Sequence, residues 1–215
     1  MRNLARTAAV LAAMIIAAGG AVGQEVVDRI VVKIESDIIL MSDVQRLARY
    51  QIFLDGKAQK DSEILDRLID QWIVRNEAQV ARFPQPSEDD VDRSIQRLKR
   101  SFSSPEEYEA RKTQSGLTDE QIRELVKSQL YLSNYLDSRF RPVIQIQEKA
   151  IEDFYDNRVV PRAKSRGQTP PTLENARDFI QEALVQRAIN EQADKWLKES
   201  RSRVRIEILL NEKAQ

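Results

Sequence analysis

The sequence predicts a mainly helical fold closed by a small antiparallel β-sheet formed from both chain ends. Three observations predict it. Apolar residues recur at helical spacing through most of residues 42–200. β-Branched residues concentrate in Val26–Ile34 and Ile38–Leu40, with Glu35-Ser36-Asp37 between them as a turn. The chain then closes on Val204-Arg205-Ile206-Glu207-Ile208, a strict alternation that reads as a half-buried strand. That strand needs a sheet partner, and the hairpin at residues 26–40 supplies it, so residues 24–215 read as one domain.

Each helix carries its own start and stop signals. Ser42-Asp43-Val44-Gln45 has the form of a capping box, opening a helix expected to reach Leu54 before Gly56 breaks it. A second helix is expected from Asp61 to Phe83, with a stripe of Leu65, Leu68, Ile69, Trp72, Ile73 and Val80, stopped by Pro84 and Pro86. Ser87 caps a third, whose apolar face is Val91, Ile95, Leu98 and Phe102. Ser104-Pro105-Glu106-Glu107 joins a Ser cap, Pro at the first helical position and Glu at the third, and starts a short helix that ends before Gly116. Thr118-Asp119-Glu120-Gln121 is a further capping box, and the helix behind it carries Ile122, Leu125, Val126, Leu130, Leu136 and Phe140 as far as Pro142. Val143–Ile146 reads as an extended link. Gln147–Arg158 is expected to be a helix with Ala150, Ile151, Phe154 and Tyr155 inward. Val159–Thr172, VVPRAKSRGQTPPT, has three prolines and a glycine and reads as a loop. Leu173–Ser200 is a long helix with Phe179, Ile180, Ala183, Leu184, Ile189, Ala193, Trp196 and Leu197 on its buried side.

Composition narrows the function classes. Residues 1–23 have the form of a cleavable secretory signal: Arg2 and Arg6, an apolar stretch over Thr7–Ala18, and Ala21-Val22-Gly23 before Gln24. The apolar stretch is short against the roughly 20 residues that a bilayer span requires. The chain is therefore expected to be exported. Without residues 1–23, which hold two arginines and no acids, the 34 basic and 34 acidic side chains become a formal charge of −2. Nucleic-acid binders usually carry a basic excess, so that class is disfavoured. The chain has no cysteine and no histidine. Thiol and Ser–His–Asp nucleophile systems and most transition-metal sites are thereby removed, leaving carboxylates for any catalysis. No cofactor and no metal are expected.

Four segments resemble SurA-type periplasmic chaperones. They are VVDRIVVKIESDIILMSDVQ (26–45), ILDRLIDQWIVRNEAQVARF (64–83), SGLTDEQIRELVKSQLYLSNYL (115–136) and WLKESRSRVRIEIL (196–209). Their order spans nearly all of the chain behind the signal. The resemblance implies a helical domain that holds unfolded outer-membrane proteins, with a long C-terminal helix and a last strand returning to the N-terminal part. One departure matters. The family usually inserts parvulin-type prolyl isomerase domains before the long helix, each on the order of 100 residues. The corresponding stretch here is about Gln147–Thr172, too short for one. A peptidyl-prolyl isomerase label inherited from the family finds no support in these residues.

Candidate site residues follow from this. A holdase keeps a wet apolar groove open, and tyrosine and tryptophan suit it because each joins an apolar body to a polar tip. Tyr50, Phe53, Trp72, Tyr108, Tyr131 and Tyr135 are the candidates for a client groove. Arg158, Arg162, Lys164 and Arg166, with no acid between Arg158 and Glu174, form a candidate anion- or partner-binding loop, suited to membrane head groups, lipopolysaccharide or an acidic partner. The acids Glu88, Asp89, Asp90 and Asp92, and likewise Glu106 and Glu107, read as complements to helix N-termini rather than as a cation site. The expected function is ATP-independent capture of unfolded exported clients, with no bond made or broken. The alternatives are a scaffold binding one folded envelope partner and, below it, a residual isomerase. An open groove is also compatible with homodimers.

Overall fold

The computed structural model describes residues 28–210; the expected signal peptide and the first residues of the hairpin lie outside the described residues. Two antiparallel pairings tie the described ends together. Strand β1 (Ile30–Ile34) lies between β2 (Asp37–Leu40) and β3 (Ile206–Ile208). In the hairpin, Ile34 faces Asp37 and Lys33 faces Ile38. The register slips between Ile30 and Val32, a bulge that interrupts alternation, and Val31 and Val32 are both fully buried. On the other edge of β1, Val32 faces Ile208 and Ile34 faces Ile206. Glu35 turns the hairpin at φ 50°, in the left-handed region. It also clamps the returning chain: its N–H donates to Arg205 O at 3.0 Å, and its carboxylate accepts from Arg205 N–H at 2.7 Å. The final strand is therefore shorter than the alternation suggested, because Arg205 bonds to the turn instead of to the ladder.

The helices follow without long gaps: α1 (Met41–Asp55), α2 (Asp61–Val80), α3 (Glu88–Ser101), α4 (Pro105–Ser115) and α5 (Asp119–Phe140). Ser87, Ser104 and Thr118 each accept from the N–H three residues on, as their cap positions require. The start of α1 departs from expectation. Its free N–H groups are taken by Asp43, by Arg29 O and by Asp28, which accepts from Ser42 N–H at 3.2 Å, and Ser42 lies inside the helix. Helix α2 stops three residues short of Phe83. Arg82 adopts φ 51°, Phe83 N–H donates to Ala78 O and Arg82 N–H to Gln79 O, which is a Schellman ending. Val80, expected on the buried stripe, is 77% exposed because the helix ends there and no neighbour covers it. At the end of α1, Gly56 has φ 71° and lies under the Arg111 guanidinium; a Cβ there would fall 2.2 Å from Arg111 Nη1.

The core forms between the sheet and α1, α2, α4 and α5. Phe53 sits at its centre with Phe102 and Tyr108 at centroid distances of 5.2 and 5.4 Å. Truncating a buried phenylalanine of this kind costs about 3–5 kcal/mol. Phe83 forms a second aromatic cluster with Tyr131 and Tyr135.

The C-terminal third forms an arm. A 3-10 turn (Arg141–Val143) ends α5, and α6 (Glu148–Phe154), a π turn (Tyr155–Val159) and α7 (Val160–Ser165) continue as one rod. Helix α8 (Leu173–Arg201) returns alongside it. The loop expected over 159–172 is thus irregular only from Arg166. Pro161 lacks an N–H and its ring crowds the preceding turn, and the π turn relieves this by widening the helix just before it. The arm has its own small core of Ile151, Ala176 and Ile180. Phe179, expected on the buried side of α8, is instead 71% exposed. Its neighbour Ile180 takes the core-facing position, and successive helical residues point about 100° apart. Farther along, α8 joins the main core through Trp196, packed on Phe140 and under Arg139.

Paired charges fix the helices to one another. Glu88 of α3 meets Arg123 and Lys127 of α5, and these partners hold its carboxyl down at about 2, from an ordinary 4.5. Arg141 binds Glu182 of α8 through two hydrogen bonds, which, with Gln186, also holds Glu182 at about 2. Arg177 pairs with Glu148, and Arg201 with Asp66.

Two outcomes follow. Arg82 is exposed, sits in the left-handed region and makes no ion pair among the described residues. Arg82→Gly should raise stability by about 0.5–1 kcal/mol, read as a higher midpoint in thermal unfolding. Glu88 and Glu182 have folded values below their unfolded ones. Their contribution is fully present above about pH 4.5 and is lost as pH falls toward about 2. Acid titration of unfolding should show stability declining across that window, and less steeply in Glu88→Gln.

Candidate functional site

Five of the six aromatic groove candidates belong to the core. Tyr50, Phe53, Tyr108, Tyr131 and Tyr135 are all buried, with Tyr50 at 1% exposure and Phe53 at none. The reason is geometric. Tyr50 and Phe53 face the junction of α1 with α4, and Tyr131 and Tyr135 face the end of α2 through Phe83. Their polar tips find partners inside: Tyr50 Oη donates to Gln129 at 3.1 Å, and burial pushes its hydroxyl up to about 12. Such side chains stabilise the fold and do not line an open groove.

Trp72 is different. It is half-buried on α2, and its indole N–H donates to Asp37 of β2 at 2.8 Å. This bond fixes the ring beside the outer edge of the hairpin. Next to it opens a cleft of about 300 Å³ between β2, α1, α2 and α5. Its apolar lining comes from Ile38, Ile39, Leu47, Leu68, Trp72 and Leu125, and Asp43, Arg46, Arg75 and Glu124 add a rim of mixed charge. A second opening, lined by Ser36, Asp37, Asn76 and Gln79, continues from Trp72 past the turn. Ile38 is 50% exposed at the mouth. It was missed because an Ile-Ile pair in a short strand does not say which residue faces out.

Strand β2 is an edge strand, paired with β1 on one side. Edge strands present unpaired backbone donors and acceptors to another chain. A cleft that combines such an edge with apolar lining accepts extended polypeptide by main-chain bonds and side-chain burial together.

The basic residues lie on the arm. Arg158 in the π turn, Arg162 in α7 and Arg166, which closes α7, follow one another at four-residue intervals and open onto the same side of the arm. They line a groove of about 440 Å³ with Phe154, Val159, Ala163, Gln168 and Phe179. Lys164 points elsewhere and is not part of this lining. Among the described residues none of the four makes an ion pair or a side-chain hydrogen bond to an acid. The four-residue spacing was a legible helical signal, hidden by the proline within it.

The acidic residues at helix N-termini are engaged locally. Asp90 pairs with Arg93 and Ser87, Asp92 with Arg123, and Glu107 with Ser103. Among the described residues no group of three potential metal ligands occurs, and no helix is long and apolar enough to cross a membrane. No family model matches the chain, and a search of curated proteins gives no significant match.

The two tryptophans offer a direct check on the cleft. Trp196 is 9% exposed under Arg139, whereas Trp72 borders open space. In a Trp196→Phe variant, the remaining emission should be quenched readily by acrylamide. In Trp72→Phe it should be protected.

Proposed function

We propose that the protein is an exported, ATP-independent holdase of the SurA type, which captures unfolded outer-membrane proteins by reversible burial of their apolar segments. The observation that carries this reading is the cleft beside β2, where an unpaired strand edge, Trp72 and half-exposed Ile38 face the same opening. Main-chain bonding to a strand edge is indifferent to client sequence, and apolar burial asks only for a hydrophobic side chain. Both suit many clients better than one. The mixed charges at the rim favour no single sign. The four segments that resemble SurA-type chaperones support the same reading, since two of them contribute β2 and Trp72 to this cleft.

The capture needs no reacting group, and the reading assigns none. An enzyme of the isomerase class would need a site gripping a proline peptide, and no residue here is given that role.

The test uses the mature chain, residues 24–215, with an unfolded outer-membrane β-barrel protein diluted from denaturant and followed by light scattering. A soluble unfolded protein serves as the comparison client. Near-stoichiometric suppression, stronger for the barrel protein, is expected. Ile38→Glu should weaken it severalfold, because a half-exposed residue can take a charge without unfolding the core but an apolar client cannot bury against it. Val80→Ser, outside the cleft, should behave as the parent. No suppression of either client would overturn the holdase reading and point to a scaffold with one folded partner.

A further inference from the structure

The arm groove is chemically unlike the β2 cleft. Its floor is apolar, formed by Phe154, Val159 and the 71% exposed Phe179, while its rim carries the three guanidinium groups of Arg158, Arg162 and Arg166. No acid lines it. Two acids of the arm are held elsewhere, Glu148 by Arg177 and Glu182 by Arg141. None of the three rim guanidinium groups forms an ion pair or hydrogen bond among the described residues. Guanidinium forks match carboxylates in two-point geometry. From Arg158 to Arg166, which closes α7, the rim runs about 12 Å at helical rise, the reach of roughly four residues of extended chain.

We infer that this groove is a second polypeptide-binding site, selective for segments in which carboxylates flank an apolar or aromatic side chain. The ring or aliphatic group seats against Phe154 and Phe179, and the flanking carboxylates take the arginines. Concavity favours a chain segment over a bilayer, because a flat lipid surface would meet the rim and leave the floor empty. That the occupant is a polypeptide rests on the holdase reading; the cationic and apolar chemistry of the groove does not. The site would give the protein a preference among clients that the sequence-tolerant β2 cleft lacks.

The probe is a fluorescein-labelled Gly/Ser peptide carrying Asp-Ser-Phe-Ser-Asp, in which alternate residues of an extended chain share one face, titrated with the mature protein and read by anisotropy. Comparison peptides carry Lys-Ser-Phe-Ser-Lys and Asp-Ser-Ser-Ser-Asp. The acidic aromatic peptide is expected to bind, the other two to bind at least about tenfold more weakly, and added salt to weaken binding. The combined variant R158Q/R162Q/R166Q, whose side chains are exposed and unpaired, should lose about tenfold or more. Phe179→Ser should lose binding with the charge intact, and Lys195→Gln on the same long helix should not. Circular dichroism of each variant verifies folding. Equal binding of all three peptides, or unchanged binding in both the triple variant and Phe179→Ser, would overturn the assignment. So would failure of the peptide to bind while phosphatidylglycerol vesicles, but not phosphatidylcholine vesicles, bind in an arginine-dependent way; the site would then be a membrane contact. Arginine-dependent self-association in sedimentation, without peptide binding, would equally overturn it in favour of a second copy. Peptide binding without any suppression of aggregation would retain the groove and reject the holdase reading, so the two can fail separately.

Discussion

The fold depends on the pairing of β1 with β3. It joins residues more than 170 positions apart, and Glu35 secures it from both its backbone and its carboxylate. Without it, the last strand would be free, and α8 would be held to the main core by its packing on α2 and α5 and by its ion pairs alone. Closing so long a loop costs chain entropy that grows only slowly with length, so a few well-placed bonds and buried valines suffice. The same pairing makes β1 an interior strand and leaves β2 on the outside, which is what gives the cleft beside Trp72 its free strand edge.

Helix α8 turns that closure into architecture. At about 43 Å it is long enough to serve two cores. Its first half holds the arm through Ala176 and Ile180, and its second half packs on α2 and α5 through Trp196. Arg177, Glu182 and Arg201 fasten it at three levels to α6, to the end of α5 and to α2. Single exposed ion pairs contribute little, but a series along one helix fixes its rotation, and rotation decides which face is left open. Phe179 is open because Ile180 is buried. An apolar, half-open surface on a cysteine-free protein needs such external fastening, since nothing covalent holds the arm in place.

Local chemistry was the legible part. Ser87, Ser104 and Thr118 announce helix starts because a cap is an interaction between residues three apart, and the structure keeps all three. The mainly helical class and the sheet from both ends were also readable, since alternation in 204–208 had no other partner. The start of α1 was not, because its N–H groups are met by Asp28 and Arg29 from across the hairpin. The rod through Pro161 was not, because a π turn absorbs the clash that usually ends a helix. The aromatic candidates show the deeper limit. Periodicity says that Tyr50, Tyr108 and Tyr131 face something apolar, and only the packing of α4 and Phe83 says that it is the core. What remained for binding was a half-buried tryptophan, an isoleucine at a strand edge and an arginine face concealed by a proline.

The central claim is that unfolded polypeptide engages the edge of β2 beside Trp72. Amide hydrogen exchange of residues 24–215, with and without an excess of an unfolded outer-membrane barrel protein, tests it most directly. The account expects slowed exchange at the outward-pointing amide of Ile38 when client is bound, with the β1 amides and the Leu40 amide, which already donates to Asp43, unchanged. Protection confined to other elements, or no change anywhere under conditions where client is held soluble, would contradict it.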